Sequence, residues 1–283
     1  VGSDNFKKEL SINIIFTVLI FLASYYLYVL TGDFLQWTAF GIGVYVICNW
    51  IHGLKNRDPV AFLLIFKSKA LLLGLLSFPF ITFVTYALGA FGPSFYIRNF
   101  SMTATEVGII YGLITVFGSM IGVICGGILG DKLRETYVNG KLYLIMASAV
   151  LTGVTAIGFI HSENLVASFT WKFVYHIAST AWLGCAASTV TELVLPRLRA
   201  VASAFFILML SMIGLALGPY LTGMVSDIYI NSGLLPGPAL KNAMTLTLLV
   251  LVLPFGLLAV ACKYLKNDEA EIYEKARSLG EEI

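Results

Sequence analysis

Long apolar runs alternate with short polar breaks along almost the whole chain, and the runs are too long for the helices of a water-soluble core. A bilayer's hydrocarbon layer takes about 20 predominantly apolar residues in helical form. Eight stretches reach that length between charged, Pro or Gly boundaries: 11–31, 35–53, 69–97, 104–129, 140–161, 166–194, 199–226 and 240–264. Polar segments separate them, among them Thr31-Gly32-Asp33, the stretch from His52 to Lys69, Asp131 to Lys141, and His161-Ser162-Glu163-Asn164. The predicted fold class is all-α, a polytopic membrane protein of about eight transmembrane helices lying in a lipid bilayer.

Composition agrees with that pattern and removes other classes. Hydrophobic residues make up 58% of the 283 positions and charged ones 12%, with a mean hydropathy of +0.87; a soluble domain carries about a quarter charged residues. The net charge of +2 is small and its basic residues form no patch interleaved with aromatics, so a nucleic-acid partner has no support. Basic residues report topology instead, because loops rich in Lys and Arg stay in the cytoplasm. With the amino terminus inside, Lys7, Lys8, Lys55, Arg57, Lys67, Lys69, Lys132, Arg134, Lys141, Arg197, Arg199, Lys263, Lys266, Lys275 and Arg277 all face the cytoplasm, 15 of the 18. Only Arg98, Lys172 and Lys241 fall elsewhere, and both ends of this segment are expected on the cytoplasmic side.

Enzyme chemistry finds no foothold. The chain has no HExxH, no GxSxG, no paired intramembrane aspartates and no Cys/His ligand cluster, so no metal or other cofactor is implied. Cys48, Cys125, Cys185 and Cys262 lie singly in apolar stretches and read as small core residues. The chain opens Val1-Gly2-Ser3-Asp4 without a methionine or a signal-peptide pattern, which reads as a fragment or a chain processed upstream.

The first two spans carry few glycines and end at the polar stretch Asn56-Arg57-Asp58-Pro59, which sets the predicted domains. These are a two-helix membrane segment (1–58), a six-helix unit (59–264) and a charged cytoplasmic tail (265–283). The tail has Glu271, Glu274 and Lys275 at helical spacings and reads as a solvated helix or a frayed end with no chemistry assigned.

The fourth span runs into Gly126-Gly127-Ile128-Leu129-Gly130-Asp131-Lys132-Leu133-Arg134. This resembles the signature loop of the major facilitator superfamily, G-x-x-x-D-[RK]-x-G-[RK]-[RK], with Gly127, Asp131 and Lys132 matching. The second glycine and second base are not matched, Leu133 being followed by Arg134 and Glu135. The plainer alternative is a helix ended by glycine among ordinary cytoplasmic charges. The seventh span supplies a second match: Arg197-Leu198-Arg199-Ala200-Val201-Ala202-Ser203-Ala204, then Gly214-Leu215-Ala216-Leu217-Gly218-Pro219, Gly223 and Ser226-Asp227. It is similar to the penultimate helix of the spinster-like branch. Phe83 to Ala87, Gly92 to Arg98 and Thr103 to Gly108 are similar to the first helices of that branch's carboxyl half, although Thr103 with Glu106 is also a capping box.

The resemblance implies a secondary active transporter in which 59–264 is the carboxyl-terminal half of a bundle that rocks against a missing amino-terminal half around a midplane site. It implies a small or amphipathic, lipid-like solute, coupling to an ion gradient, and a bacterial inner membrane. Gly127, Gly130, Asp131, Lys132 and Arg134 become the conformational switch, and Gly214, Gly218, Pro219 and Gly223 a helix-packing motif. Residues 1–58 are either helices inserted between the halves, the favoured reading, or the end of the amino half. A non-transporting scaffold that retains half of the fold is the alternative function.

Ionisable groups at membrane depth are costly and point to function. Lys172 and His176 form an i, i+4 pair in the sixth span, able to attract an anionic head group or, through His176, to titrate. The structural alternatives are that Lys172 snorkels to the surface and that His176 bonds a neighbouring helix. Tyr86, Phe91, Trp182 and Ser211 join them as substrate-cavity residues, and Glu192 is expected at the cytoplasmic rim as a partner of Arg197 or Arg199.

Overall fold

The computed structural model describes the backbone of residues 3–278, and the side chains from 10 to 278 except 273, 275 and 276. The side chains of Lys7, Lys8 and Lys275, and the tail beyond 278, therefore lie outside the described positions. Two compact units divide the chain, Val1–Leu64 and Ile65–Ile283.

The first unit is a helical hairpin. Helix α1 (Ser3–Thr31) turns into α2 (Phe34–Arg57) at Gly32, whose φ of +80° suits a residue without a Cβ. Trp37 closes the turn by donating Nε1–H to the Thr31 hydroxyl at 2.6 Å. Gly41 lets Ser24 approach so closely that a Cβ there would overlap the Ser24 hydroxyl. The polar stretch at 56–59 is a junction between helices: Pro59 opens α3 (Pro59–Lys67), and Asp58 Oδ1 caps it by accepting from the Ala61 N–H at 2.8 Å. The division between units falls inside α3, a few residues beyond position 58.

The second unit holds α4 (Lys69–Phe100), α5 (Ala104–Thr136), α6 (Gly140–His161) and α7 (Leu165–Glu192). After a 3-10 turn at Pro196–Leu198 come two broken rods. In the first, α8 (Arg199–Met209) passes through a π-helical turn, Leu210–Leu215, into α9 (Ala216–Asn231). In the second, α10 (Pro236–Thr247) passes through a 3-10 turn, Leu248–Leu251, into α11 (Val252–Ala261). Each irregular turn lies just upstream of a proline, Pro219 or Pro254. A proline ring cannot donate to the carbonyl four residues back and crowds it, so the preceding turn changes pitch. A final helix, α12 (Leu265–Ser278), follows.

Among the described residues, seven helical stretches are long and apolar enough to span a membrane: α1, α2, α4, α5, α6 and the two broken rods. The sixth expected span, α7, has the length, but Lys172, His176 and a run of Ser and Thr keep its hydropathy low. Its polar groups are buried instead, Lys172 and His176 lying against α5 and α6. Its contact with α5 is made by Gly118, Gly122, Gly126 and Gly130, which bring that helix onto Phe173, Ile177, Ala181 and Cys185. Small residues serve this purpose in membranes, where no solvent drives helices together and close backbone approach supplies the attraction. The Ser148 hydroxyl of α6 donates to Ala178 O of α7 at 2.5 Å. Helix α4 packs mainly with the two broken rods and also touches α7, Phe78 stacking on Trp182. A Cβ at Gly214 would meet Thr82 at 2.6 Å and one at Gly218 would fall on the Phe83 carbonyl, so this glycine pair does set the close crossing of α4.

Candidate functional site

The segment Gly126–Arg134, expected as a loop, lies on a helix. Helix α5 continues past residue 129 to Thr136, so Asp131, Lys132 and Arg134 occupy its last turns and the glycines are interior. Two faces separate there. Gly126 and Gly130 are buried against α7, where a Cβ would overlap the Ala181 carbonyl and the Cys185 sulfur. Gly127 has no atom within 4 Å of its Cβ position, and Asp131, four residues on, is exposed. Exposed Ile109, Leu113, Val116, Met120, Ile124 and Ile128 extend that open face along the helix.

Arg134 turns the other way. It pairs with Glu269 of α12 at 2.6 Å and donates to Val138 O. Asp268, beside Glu269, accepts from Ser68 Oγ at 3.0 Å and from the Ala70 N–H at 2.8 Å, while Ser68 Oγ accepts from the Leu71 N–H. Buried Leu265 and Ile272 lie on the same helix, and Lys69 Nζ lies 4.8 Å from the Tyr264 ring centre. The tail is thus docked through residues 264–272, which corrects its reading as a solvated or frayed segment. The sequence missed Asp268 and Glu269 because their partners lie far away along the chain. Losing a cap costs about 1 kcal/mol, and a loss of that size lowers Tm by about 2–4 °C for a unit of 150–250 residues. Asp268→Ala is expected to melt lower by that amount in detergent, read by intrinsic fluorescence. An unchanged Tm would remove the capping role.

Glu192 pairs with Lys141 of α6, not with Arg197 or Arg199 as expected. Arg199 instead donates through Nε to Thr191 O at 3.3 Å. The six cavity residues do not converge. Tyr86 is 44% exposed on α4, Phe91 touches the Cβ position of Gly223 at 3.0 Å, and Ser211 bonds back to Ile207 O within its own rod. Trp182 is 3% exposed, its indole stacked on Phe78 and its Nε1–H donated to Ser179 O. Trp182 and Phe91 therefore sit in helix packing.

Lys172 and His176 do come together, inside the helix bundle. Lys172 does not snorkel: it is 0% exposed, and its Nζ has no hydrogen-bond partner. Three rings surround the ammonium: Phe159 at 4.3 Å, Tyr175 at 4.4 Å and Tyr111 at 4.9 Å. Among the described residues no carboxylate forms an ion pair with it. Each desolvated ring contact contributes up to about 2 kcal/mol, against several kcal/mol for burying the charge. His176, 5% exposed, bonds Thr115 Oγ1 of α5 at 3.0 Å, as its structural alternative anticipated, and meets the Tyr111 and Tyr175 rings edge to face. Of the cage, only Tyr175 carries a sequence signal, three residues along the same helix from Lys172. Tyr111 and Phe159 reach it from α5 and α6 through the fold alone.

These elements form an all-α membrane bundle with glycine-made helix crossings, an α5 open on one face and a buried lysine. No family model matches the chain. It is 31% identical over 201 residues to an MFS-type efflux pump of Mycolicibacterium smegmatis, covering 70% of this chain and 45% of the relative. It is 26% identical over 173 residues to the protein spinster of Drosophila melanogaster, covering 57% and 28%. A bacterial homologue of the human lysosomal transporter spinster, solved inward-facing and unoccupied, superposes with a TM-score of 0.58 at 22% identity, over 78% of this chain and 52% of that one. The chain is thus homologous to an MFS-type efflux pump and to spinster proteins, and shares the fold of a spinster homologue. It spans less than half the length of these two curated relatives.

Proposed function

We propose that the chain is the carboxyl-terminal half of a secondary active transporter that moves a small or amphipathic, lipid-like solute by alternating access, coupled to an ion gradient. The observation that carries this reading is the division of α5 into a glycine face buried on α7 and an open face running from Ile109 to Asp131. An exposed apolar stripe ending in an acid at the rim is what a second, rocking half would cover. The relatives, an efflux pump and spinster proteins, support the same class. In this reading both described ends lie on the cytoplasmic side of a bacterial inner membrane, Asp131 and Lys132 are the switch, and Lys172 and His176 serve the solute.

Reconstituted full-length protein decides between this and a scaffold that retains half of the fold. Proteoliposomes offered lysolipids, sphingoid phosphates and organic acids, with and without a proton gradient, are expected to take up at least one class saturably and faster under the gradient. A well-folded full-length protein that moves none of them overturns the transport reading.

A further inference from the structure

The helices of the second unit pack as two groups. Helices α5, α6 and α7 pack on one another, while α4 packs mainly on the two broken rods. At the end of the unit where α4 finishes and α5 begins, three hydrogen bonds join the groups. Tyr96 of α4 bonds the Ser168 hydroxyl of α7 at 3.0 Å, Tyr111 of α5 donates to Gly89 O of α4 at 3.2 Å, and His161 of α6 bonds Thr245 of α10 at 3.1 Å. Nearer the middle the groups meet through rings and apolar side chains, Phe78 stacking on Trp182 and Leu251 lying against Gly153.

At the opposite end the groups are bridged by α12. Its contacts share one face, because Leu265, Asp268, Glu269 and Ile272 are spaced i, i+3, i+4 and i+7. Leu265 and Ile272 are buried there. Asp268 accepts from Ser68 Oγ and the Ala70 N–H, so its charge sits on the first turn of α4, where free N–H groups and the helix dipole favour an anion. Glu269, the next residue, pairs instead with Arg134 near the end of α5. Two adjacent acids on one short helix thus hold one helix group each.

The two holds are unequal. Helix α12 follows α11, which packs with α4, so Asp268 fixes it to the group it already belongs to. The Glu269–Arg134 pair crosses between groups, and its side chains are 21% and 30% exposed, open enough to water and salt to break and re-form. Arg199 also crosses at this end through Thr191 O, but only over the short connection from α7 to α8.

We propose that α12 is a releasable clasp: Asp268 anchors it on α4, the Glu269–Arg134 pair closes it on α5, and breaking that pair lets the two groups part at this end while the hydrogen bonds at the other end hold. Asp131 and Lys132 lie within one turn of Arg134, so the clasp also sets where those charges stand. As a property of this unit the clasp is independent of transport; any part in a transport cycle rests on the transport reading.

The test uses the full-length protein in nanodiscs, with accessible native cysteines replaced by serine. Spin labels at Leu76→Cys and Glu135→Cys, exposed positions on α4 and α5, report the clasped end by double electron–electron resonance, and labels at Ile97→Cys and Ile109→Cys report the other end. Glu269→Gln is expected to raise the proportion of a longer Leu76–Glu135 distance about fivefold, the ratio that a pair contributing about 1 kcal/mol sets, and to leave the Ile97–Ile109 distance as it was. Salt near 1 M, where the Debye length is about 3 Å, is expected to lengthen the first distance in wild type and not in Glu269→Gln. An unchanged Leu76–Glu135 distribution in Glu269→Gln overturns the clasp. Equal lengthening at both ends overturns the fixed end, and an equal response of the two proteins to salt overturns the ion pair as the closure. A full-length protein that moves no solute yet gives these distances supports the clasp while the transport reading fails.

Discussion

Gly126→Ala is expected to destabilise the protein severely while Gly127→Ala, one residue on, leaves it intact or slightly stabilised. Both glycines are interior to α5, so each replacement gains up to about 1 kcal/mol of helix propensity. At Gly127 the new methyl points into open space. At Gly126 it falls on the carbonyl and Cα of Ala181, backbone atoms that cannot rotate aside. The helices must separate, and Gly118, Gly122 and Gly130 along the same seam separate with them, taking the Thr180 hydroxyl from Ser119 O and Cys185 from Gly126 O. Overpacking costs about 1–3 kcal/mol where side chains give way, so backbone overlap belongs at the upper end of that range. With the gain in propensity subtracted, about 2 kcal/mol remains, and at about 2–4 °C per kcal/mol Gly126→Ala is expected to lower Tm by roughly 4–8 °C and Gly127→Ala by none. Thermal melting in detergent reads both, and equal shifts would show that the α5–α7 contact is not made by these glycines. Gly127→Leu is expected to melt normally yet slow transport in the full-length protein, because the open face is where a second half would close.

That contrast shows how far the sequence could be read. Span positions were legible because length and apolarity decide them, and the opening of α5 was legible because Thr103 and Glu106 form a local, reciprocal capping box. The far end of α5 was not. A glycine that stops a helix and a glycine that admits a neighbour look alike until the neighbour is in place, so the run 126–130 suggested an ending where the structure has a seam. The same limit applies to the candidate site. Lys172 and His176 stood out because charge at membrane depth is rare, yet their surroundings come from α5 and α6. Tyr86, Phe91, Trp182 and Ser211 were chosen by residue type and expected depth, and helical phase then turned them to different faces. The charged pattern of α12 was read as solvated because nothing local marks Asp268 as the acceptor of a helix N–H 198 residues away.

Asp131→Asn is expected to slow transport by the full-length protein about tenfold while leaving membrane insertion and Tm unchanged. Asp131 is exposed and makes no hydrogen bond or ion pair among the described residues, so its removal breaks none of those contacts. Its neighbour differs: Arg134 is held by Glu269, and Arg134→Gln is expected to loosen α12 and increase proteolysis there. Two charges in one motif are therefore expected to have separable effects, one on transport and one on the fold. The superfamily resemblance implies that this acid faces the positive end of a helix in the other half, a contact that contributes up to about 2 kcal/mol in partly buried geometry. A contact made in only one of two conformations shifts their populations by the energy it contributes to that one. Losing 1.4 kcal/mol of it is a factor of about ten, enough to make one state of the cycle scarce. The replacement is nearly isosteric, so a change in rate reports the charge. Insertion is read by membrane fractionation, rate by initial uptake into proteoliposomes and state by accessibility of a single cysteine at Gly127. Wild-type uptake in Asp131→Asn would leave the acid as an ordinary rim charge, and lost insertion would place its role in folding.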